Sequence, residues 1–407
     1  MSRLYTLFSN TFNLHNFVKS ASLFAVAAIT MSSAVNAETI TIKADTLYTS
    51  AKQGVIKHAV VWIKDNKIIK VGEYAKIGDA KNSRIVKAKI VTPGFIDAHT
   101  VVGINGAFNQ HADQDGFEQN SPNGAQMRVL DSFNPAEDLV QHVLSYGVTT
   151  IHVTPEPAAP IAGNTALFKT HGLVADDMLL KDNVAMLFNL GNAPKYEFSK
   201  QNISTRMKTA AFIREALYGA KHWQSTAQEK RSPDLSKQAL ERVLSGQQMA
   251  IFTAHREDDI ATALRLSKEF NLVPVINYAT EGYLMTDKLK QASATVIHAP
   301  PMQRALGMEK GNATLESAAI LNAYNVPTVF ASGYEGLPAE RAITMATSDA
   351  AKLFKINDQV GSIEVGKDAD IVMFDGDPFE YTTHVLGVFV NGQLAYDKTS
   401  DKGFENP

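Results

Sequence analysis

The chain has 407 residues, with 39 basic and 42 acidic side chains and no cysteine. The absence of cysteine excludes disulfides and thiolate chemistry, and it suits an oxidising compartment without proving one. The slightly acidic balance argues against nucleic acid or an anionic membrane as a partner, because both attract basic surfaces.

The first 37 residues have the pattern of a secretory signal peptide. Arg3 and Lys19 are the only charges in this stretch, Ala21 to Met31 is a short apolar run, and small residues lead to V-N-A, which ends at Ala37. The apolar run is too short to cross a bilayer. We therefore predict residues 1–37 as a signal peptide, secretion across the inner membrane to the periplasm, and a mature chain without a membrane span.

Both ends of the remaining chain have the alternation of small antiparallel strands. Short apolar–polar pieces, separated by Gly, Asn and Lys, occur from Ile40 to Ile90 and again from Asp370 to Tyr396. This alternation is typical of strands joined by hairpins. Two similar ends around a different middle predict one composite domain, a small β-sandwich built from residues 38–90 and 357–400, followed by a tail at 401–407.

The middle, residues 91–356, alternates apolar strand candidates with helix-period segments such as Pro135–Tyr146, Asp259–Phe270 and Ala339–Phe354. Eight such units over about 260 residues have the size of a TIM barrel. A doubly wound open sheet is the alternative, but it would usually bring a Gly-rich phosphate turn, and the sequence has none. We therefore predict an α/β fold with a (β/α)8 TIM barrel. Its strand candidates are Val91–Ala98, Thr149–Val153, Ala166–Lys169, Val184–Leu190, Ala250–Ala254, Val273–Tyr278, Thr295–His298 and Thr328–Ala331.

Five stretches form one ordered pattern along this chain. They are V-T-P-G-F-I-D-A-H-T (91–100), Y-G-V-T-T-I-H-V (146–153), A-H-R-E-D-D-I-A-T-A-L-R-L (254–266), A-T-E-G-Y (279–283) and G-S-I-E-V-G-K-D-A-D-I-V-M-F-D-G-D-P (361–378). Together they resemble the metal-dependent amidohydrolase superfamily, and within it the imidazolonepropionase-like branch. The resemblance implies a barrel that hydrolyses C–N bonds of amides, cyclic amides or amidines with one or two divalent metals, commonly zinc.

The family's metal ligands are a His-x-His pair on strand 1, a carboxylated Lys or a Glu on strand 4, single His residues on strands 5 and 6, and an Asp on strand 8 that also shuttles protons. The positions on strands 4 and 8 carry an uncertainty of one residue. The resemblance places the six ligand positions, in this order, on His99, Val101, Leu187, His255, Tyr278 and Gly333.

Of these six positions, only His99 and His255 keep a metal-binding imidazole. A catalytic zinc typically needs three protein ligands and a water, whose pKa it lowers to produce hydroxide. The Asp that would act as general base is replaced by Gly333. We therefore predict that the two-metal site is lost, and that either one divalent metal, zinc, or none binds at His99 and His255.

Other side chains are candidates for rebuilding the site or for binding substrate. His298, at the end of strand 7, is either a third ligand beside His99 and His255 or a core histidine, as His152 is expected to be. Lys169 either reaches the barrel mouth, as a substrate-binding cation or a carboxylated ligand, or forms an ion pair at the rim. Together with Tyr278, these residues are our substrate-binding candidates.

Three functions follow from this pattern. The first is an exported amidohydrolase-family protein with lost or much reduced metal-dependent activity, a possible pseudoenzyme. Such a protein would bind a small molecule, form a homo-oligomer or pair with an active relative. The second is an active mononuclear C–N hydrolase, and the third is a non-catalytic scaffold subunit. Fold by itself does not decide between them.

Overall fold

The computed structural model describes residues 38–299, 307–330 and 337–399. The predicted signal peptide, 1–37, and the predicted tail, 401–407, lie outside these ranges. Among the described residues, no helix combines the length and the apolar composition needed to cross a membrane.

The described part of the chain alternates between regions rich in strands and regions rich in helices. Its strands are β1 Ile40–Tyr48, β2 Val55–Lys64, β3 Lys67–Glu73, β4 Arg84–Pro93, β5 Phe95–Thr100, β6 Val148–Val153, β7 Ile161–Asn164, β8 Ala166–Lys169, β9 Leu179–Lys181, β10 Ala185–Asn189, β11 Met249–Ala254, β12 Pro274–Tyr278, β13 Thr295–His298, β14 Thr328–Phe330, β15 Ile371–Phe374, β16 Val385–Val390 and β17 Gln393–Asp397. Its helices are α1 Tyr74–Ile77, α2 Asp138–Ser145, α3 Ala175–Met178, α4 Asn192–Glu197, α5 Arg206–Ser225, α6 Leu235–Leu244, α7 Glu257–Phe270, α8 Thr286–Gln291, α9 Ser317–Ala323, α10 Ala339–Met345 and α11 Ser348–Leu353.

Strands from both ends of the chain form one seven-stranded sheet, in the order β17–β16–β15–β4–β1–β2–β3. The junction is the antiparallel pair of β15 with β4. Apolar residues at alternate positions, such as Ile42, Val61 and Ile371, form a shared core. The expected meeting of the two chain ends is therefore observed, but as a single sheet; a two-layered sandwich is not shown.

The strands of the middle region divide between two further sheets, ordered β14–β13–β12–β11–β10–β7 and β5–β6–β8–β9. Strands β10 to β14 pair in parallel, and so do β5 and β6. Apolar faces of α5 to α9 cover the outer side of the six-stranded sheet. This mixed α/β arrangement is consistent with the predicted barrel, but the described hydrogen bonds do not join its strands into one closed sheet.

Gly94 divides the first predicted barrel strand, Val91–Ala98, into two. Residues up to Pro93 belong to β4 in the seven-stranded sheet, and β5 begins at Phe95 in the four-stranded sheet. A Cβ at position 94 would lie 2.0 Å from the hydroxyl oxygen of Thr149, so the close packing of the Thr149 side chain against this position requires glycine. The prediction of one continuous strand was wrong at this bend.

The third predicted barrel strand, Ala166–Lys169, is present as β8 but runs antiparallel to β6, not parallel. Only residues 154–160 connect β6 to β7, and they contain no helix. A parallel return normally needs a crossover of a dozen or more residues. The chain therefore reverses directly, and β7 and β8 pair antiparallel with β10 and β6, respectively.

This reversal determines where Lys169 lies. Lys169 pairs with Thr150, near the start of β6, and is therefore at the opposite end of the sheet from His99, near the end of β5. Its side chain is 4% exposed and its ammonium group forms ion pairs with the carboxylates of Asp368, at 3.3 Å, and Asp370. The structure thus matches the ion-paired alternative and does not bring Lys169 to the predicted metal site.

We predict that Lys169→Met destabilises the protein by about 3–5 kcal/mol, because it leaves the buried carboxylate of Asp370 without its cation, while Asp368 keeps only Lys67. Urea unfolding followed by circular dichroism measures the change. Lys67→Met is the matched control, since Lys67 also pairs with Asp368, at 2.7 Å, but is 43% exposed, and its loss should cost less than about 1 kcal/mol. Equal losses in the two variants would contradict this account.

Candidate functional site

The predicted strand 1, 5 and 6 positions come together at the carboxyl ends of neighbouring strands. His99 is the penultimate residue of β5, His255 directly follows β11, and Tyr278 is the last residue of β12. The register of β11 and β12 places Ala254 beside Tyr278. Side chains at such strand ends converge at one edge of a parallel sheet, which is where active sites of α/β folds lie.

The phenol ring of Tyr278 packs against both imidazoles. Its centroid lies 5.5 Å from that of His99, in an edge-on arrangement, and 4.7 Å from that of His255, in a stacked one. Burial raises the pKa of Tyr278 to about 12, so the phenol is neutral at physiological pH and is a poor metal ligand. The aromatic ring therefore contacts both imidazoles and supplies no imidazole donor at the predicted strand 6 ligand position.

The backbone at Tyr278 is strained. Tyr278 has φ 69° and Ala279 has φ 46°, in the left-handed region that bulky residues rarely adopt. Two backbone hydrogen bonds support this bend. The N–H of Ala279 donates to the carbonyl of Ala254 at 3.0 Å, and the N–H of Glu281 donates to the backbone carbonyl of His255 at 2.9 Å. The surrounding strands thus hold the ring in place at the site.

Both ring nitrogens of His99 are engaged by protein groups. Nδ1 lies 3.1 Å from the hydroxyl of Thr154, and Nε2 lies 3.1 Å from the side-chain amide of Asn277. Burial lowers the pKa of His99 to about 3, with a smaller contribution from His152, so the ring is neutral. A neutral imidazole has a single lone-pair nitrogen. Because the amide nitrogen of Asn277 can only donate, Nε2 carries the lone pair and accepts this hydrogen bond, while Nδ1–H donates to the hydroxyl of Thr154.

His255 has a hydrogen-bond partner at only one ring nitrogen among the described residues. Its Nδ1 lies 2.8 Å from the hydroxyl of Thr280, and no described residue bonds its Nε2. Burial, followed by the positive charge of Lys310, lowers the pKa of His255 to about 4. The ammonium group of Lys310 lies 5.8 Å from the centroid of the Tyr278 ring. A neutral imidazole and a cation therefore both lie close to this aromatic ring.

Comparisons with known proteins identify the relatives of this chain. The sequence profile of the amidohydrolase family matches residues 265–395. A crystal structure of an amidohydrolase from Thermotoga maritima has a TM-score of 0.83 and 27% identity, covering 88% of this chain and all of that one. The imidazolonepropionase of Alkaliphilus oremlandii is 23% identical over 396 residues, 85% of this chain and 92% of that protein. The chain belongs to the amidohydrolase superfamily.

Other similarities fit the same assignment. Amidohydrolase tasK of Hapsidospora irregularis is 25% identical over 395 residues; this covers 84% of the chain but only 40% of tasK. A prolidase structure with 16% identity and a TM-score of 0.54 supports the fold alone. The predicted placement on the imidazolonepropionase-like branch is confirmed.

Members of this superfamily are commonly metal-dependent, but the described residues do not fit a two-metal site. Val101 and Leu187 have hydrocarbon side chains, and Leu187 is fully buried in an apolar core. Gly333 lies outside the described residues. In the described ranges, no three His, Cys, Asp or Glu side chains are grouped closely enough to hold an ion. His99 and His255 therefore remain predictions as ligands of a single metal.

The other histidines of this amidohydrolase-superfamily chain have different surroundings. His298 is nearly fully buried beside Tyr278 in the sheet register, and its ring lies 6.3 Å from that of Phe330. Among the described residues, His298 does not belong to any group of three side chains that could hold a metal ion. His152 bonds the carbonyl of Ala98 and the hydroxyl of Thr165, at 2.8 and 2.7 Å, as expected of a core histidine.

Sequence reasoning missed a polar layer beneath the two imidazoles. Asn189, Thr253 and Asn277 are register partners on adjacent strands, and all three side chains are buried. No described protein group bonds the side-chain oxygens of Asn189 and Asn277. Each asparagine lies near the end of an otherwise apolar strand segment. A polar amide residue in such a segment was the signal that the sequence offered for this layer. These oxygens can accept hydrogen bonds from a bound molecule.

The pKa of His152 is lowered to about 4, mainly by burial, so its protonation favours the unfolded chain. Its contribution to stability is complete above the unfolded pKa of about 6.5 and is lost as the pH falls toward 4. We predict that the wild-type protein loses about 2 kcal/mol more than His152→Gln between about pH 7.5 and pH 5. Urea unfolding at both pH values measures this.

The exposed His111 provides the control: the pH dependence of His111→Gln should follow that of the wild-type protein. An unchanged pH dependence in His152→Gln would show that His152 is protonated equally well in the folded and unfolded chains, contrary to this account.

Proposed function

We propose that the protein is an exported member of the amidohydrolase superfamily that binds a small polar molecule at the barrel mouth and retains little or none of the family's metal-dependent C–N bond hydrolysis. Export rests on the signal-peptide pattern of residues 1–37. Intact-mass measurement of periplasmic protein, expected to begin at Glu38, tests it; a full-length product in the cytoplasm would count against it.

We also propose that the two sheets of the middle region close into a (β/α)8 barrel, flanked by the composite β-domain of residues 38–90 and 357–400. Two observations support closure. Strands β14 and β5, which end the two sheets, contact each other. The N–H of Ile96 in β5 also donates to the carbonyl of Ala346 just after α10, at 2.8 Å.

The observation that carries the proposed loss of activity is the hydrogen bonding of His99. A metal at His99 would have to displace the amide of Asn277 from Nε2 or the hydroxyl of Thr154 from Nδ1. It would also meet the ring of Tyr278, which contacts both imidazoles. Each rearrangement costs free energy, and neither Val101 nor Leu187 supplies a donor in return.

The polar layer beneath the imidazoles supports the ligand-binding role. The side-chain oxygens of Asn189 and Asn277 are buried acceptors without a described protein donor. Leaving such a group unpaired costs about 1–3 kcal/mol, and a ligand with N–H or O–H donors would remove that cost. The cation of Lys310 above Tyr278 favours a ligand with electron-rich or anionic groups on its outer side.

One observation favours the alternative of a mononuclear hydrolase. His255 is neutral, and its Nε2 has no described partner, so it is available as a ligand. Neutral imidazole is the form that binds zinc. A single ion would then need further ligands from His99, after release of Asn277, and from the substrate or water.

We predict that untagged protein equilibrated with zinc contains well below one zinc per chain, because a single accessible imidazole binds the ion weakly. Elemental analysis after gel filtration measures the ratio. His255→Ala is the matched variant and should give the same low value as the wild-type protein.

About one zinc per chain, lost in His255→Ala and accompanied by amide hydrolysis that a chelator abolishes, would overturn the proposal and establish the mononuclear hydrolase. Low zinc content with a melting temperature raised by a polar small molecule would support the binding role.

A further inference from the structure

A second concave surface lies outside the barrel mouth. It is a cleft of 680 Å³ between α2, α10 and the strands β16 and β17, and its floor is the outer face of β5. Its volume is within the range of about 300–1,000 Å³ that is typical of small-molecule sites. Six aromatic side chains line it: Phe95, Tyr146, Phe330, Phe374, Phe379 and Tyr396.

The helices that flank β5 at this cleft are short. Helix α2 has eight residues, and the helical segment predicted as Ala339–Phe354 is divided into α10 and α11. The division is at Ala346, whose carbonyl accepts the N–H of Ile96 in β5. A continuous helix would use that carbonyl internally and would cover more of the strand. The outer face of β5 is therefore left open beside α10.

Asp97 places a carboxyl group at the floor of this largely apolar cleft. The parallel register sets Asp97 beside Ile151, whose side chain packs toward α2, so the two residues share the outer face of the sheet. One carboxyl oxygen accepts the N–H of His99 at 3.1 Å. Among the described residues, no Lys, Arg or His forms an ion pair with Asp97. Burial raises the pKa of Asp97 to about 8, and the hydroxyl of Thr100 also hydrogen-bonds the carboxyl group. With no basic partner to hold it charged, Asp97 presents a mostly neutral acid group with an acceptor oxygen to the cleft.

We propose that this cleft binds a small aromatic molecule whose N–H group donates a hydrogen bond to Asp97. The aromatic lining supplies stacking and apolar contact for a flat ring, and the carboxyl oxygen selects for an N–H donor. Ring contacts provide most of the affinity, while the hydrogen bond provides the selectivity. This site is separate from the proposed function at the barrel mouth, since its lining does not include His99, His255 or Tyr278.

Indole and benzofuran form a matched pair of probes, because they have nearly the same shape and benzofuran has no N–H. Calorimetric titration of the full mature chain is expected to show that indole binds about five- to tenfold more tightly than benzofuran, the factor that one hydrogen bond provides. Equal affinities, or no binding of either probe at millimolar concentration, would overturn the proposal.

Two variants locate the binding. Asp97→Asn keeps an oxygen for the N–H of His99 but presents an amide donor to the ligand, so indole should bind no better than benzofuran. Val143→Phe, on the α2 wall of the cleft, should abolish binding of both probes. Asp176→Asn, an exposed change in α3, is the control and should leave both affinities unchanged.

The Val143→Phe variant depends on folding, so a direct location of the ligand is also needed. A crystal soaked with 5-bromoindole marks the ring through the anomalous signal of bromine. A bromine peak in the cleft supports the proposal, and a peak elsewhere with none in the cleft overturns it.

Discussion

A neutral imidazole offers only one lone pair, and the chemistry of this site depends on where that lone pair of His99 is used. Here Thr154 and Asn277 occupy both ring nitrogens, and burial keeps the ring uncharged. We therefore propose that the histidine at the family's first metal-ligand position acts here as a hydrogen-bonding residue of the protein interior. The missing donors at Val101 and Leu187 reinforce this change.

A single strand end produces much of the altered site. Asn277 and Tyr278 are the last two residues of β12; the first bonds His99 and the second packs against both imidazoles. The left-handed backbone at Tyr278 and Ala279 lets consecutive side chains reach the same region. Substitutions at the end of β12 therefore affect both the accessibility and the bonding of the neighbouring histidines.

Much of the fold could be predicted from apolar segments and motif order, because buried strands have a strong local signal. The structure differs from these predictions where contacts between distant segments of the chain determine the fold. Gly94 divides a strand because Thr149 passes close to it, and β8 runs antiparallel because the preceding connection is too short for a crossover. Strand direction then determines that Lys169 meets Asp368 and Asp370, which no local pattern reveals.

The same limit applies to the site. Motif order was sufficient to identify His99 and His255, and the aromatic replacement at Tyr278 is visible in the sequence. The hydrogen bond from Asn277 was not visible, because Asn277 lies 178 residues from His99 and only the folding of the whole middle region brings the two side chains together. Register between distant strands depends on packing of the whole core, so the amide partner could be found only in three dimensions.

The most direct test of this account is a crystal structure of zinc-soaked protein, with anomalous data recorded at the zinc edge. We predict no zinc peak at His99 and His255, with the amide of Asn277 still bonded to His99 and the ring of Tyr278 against both imidazoles. A well-occupied zinc bound by both histidines, with Tyr278 rotated away, would contradict the account.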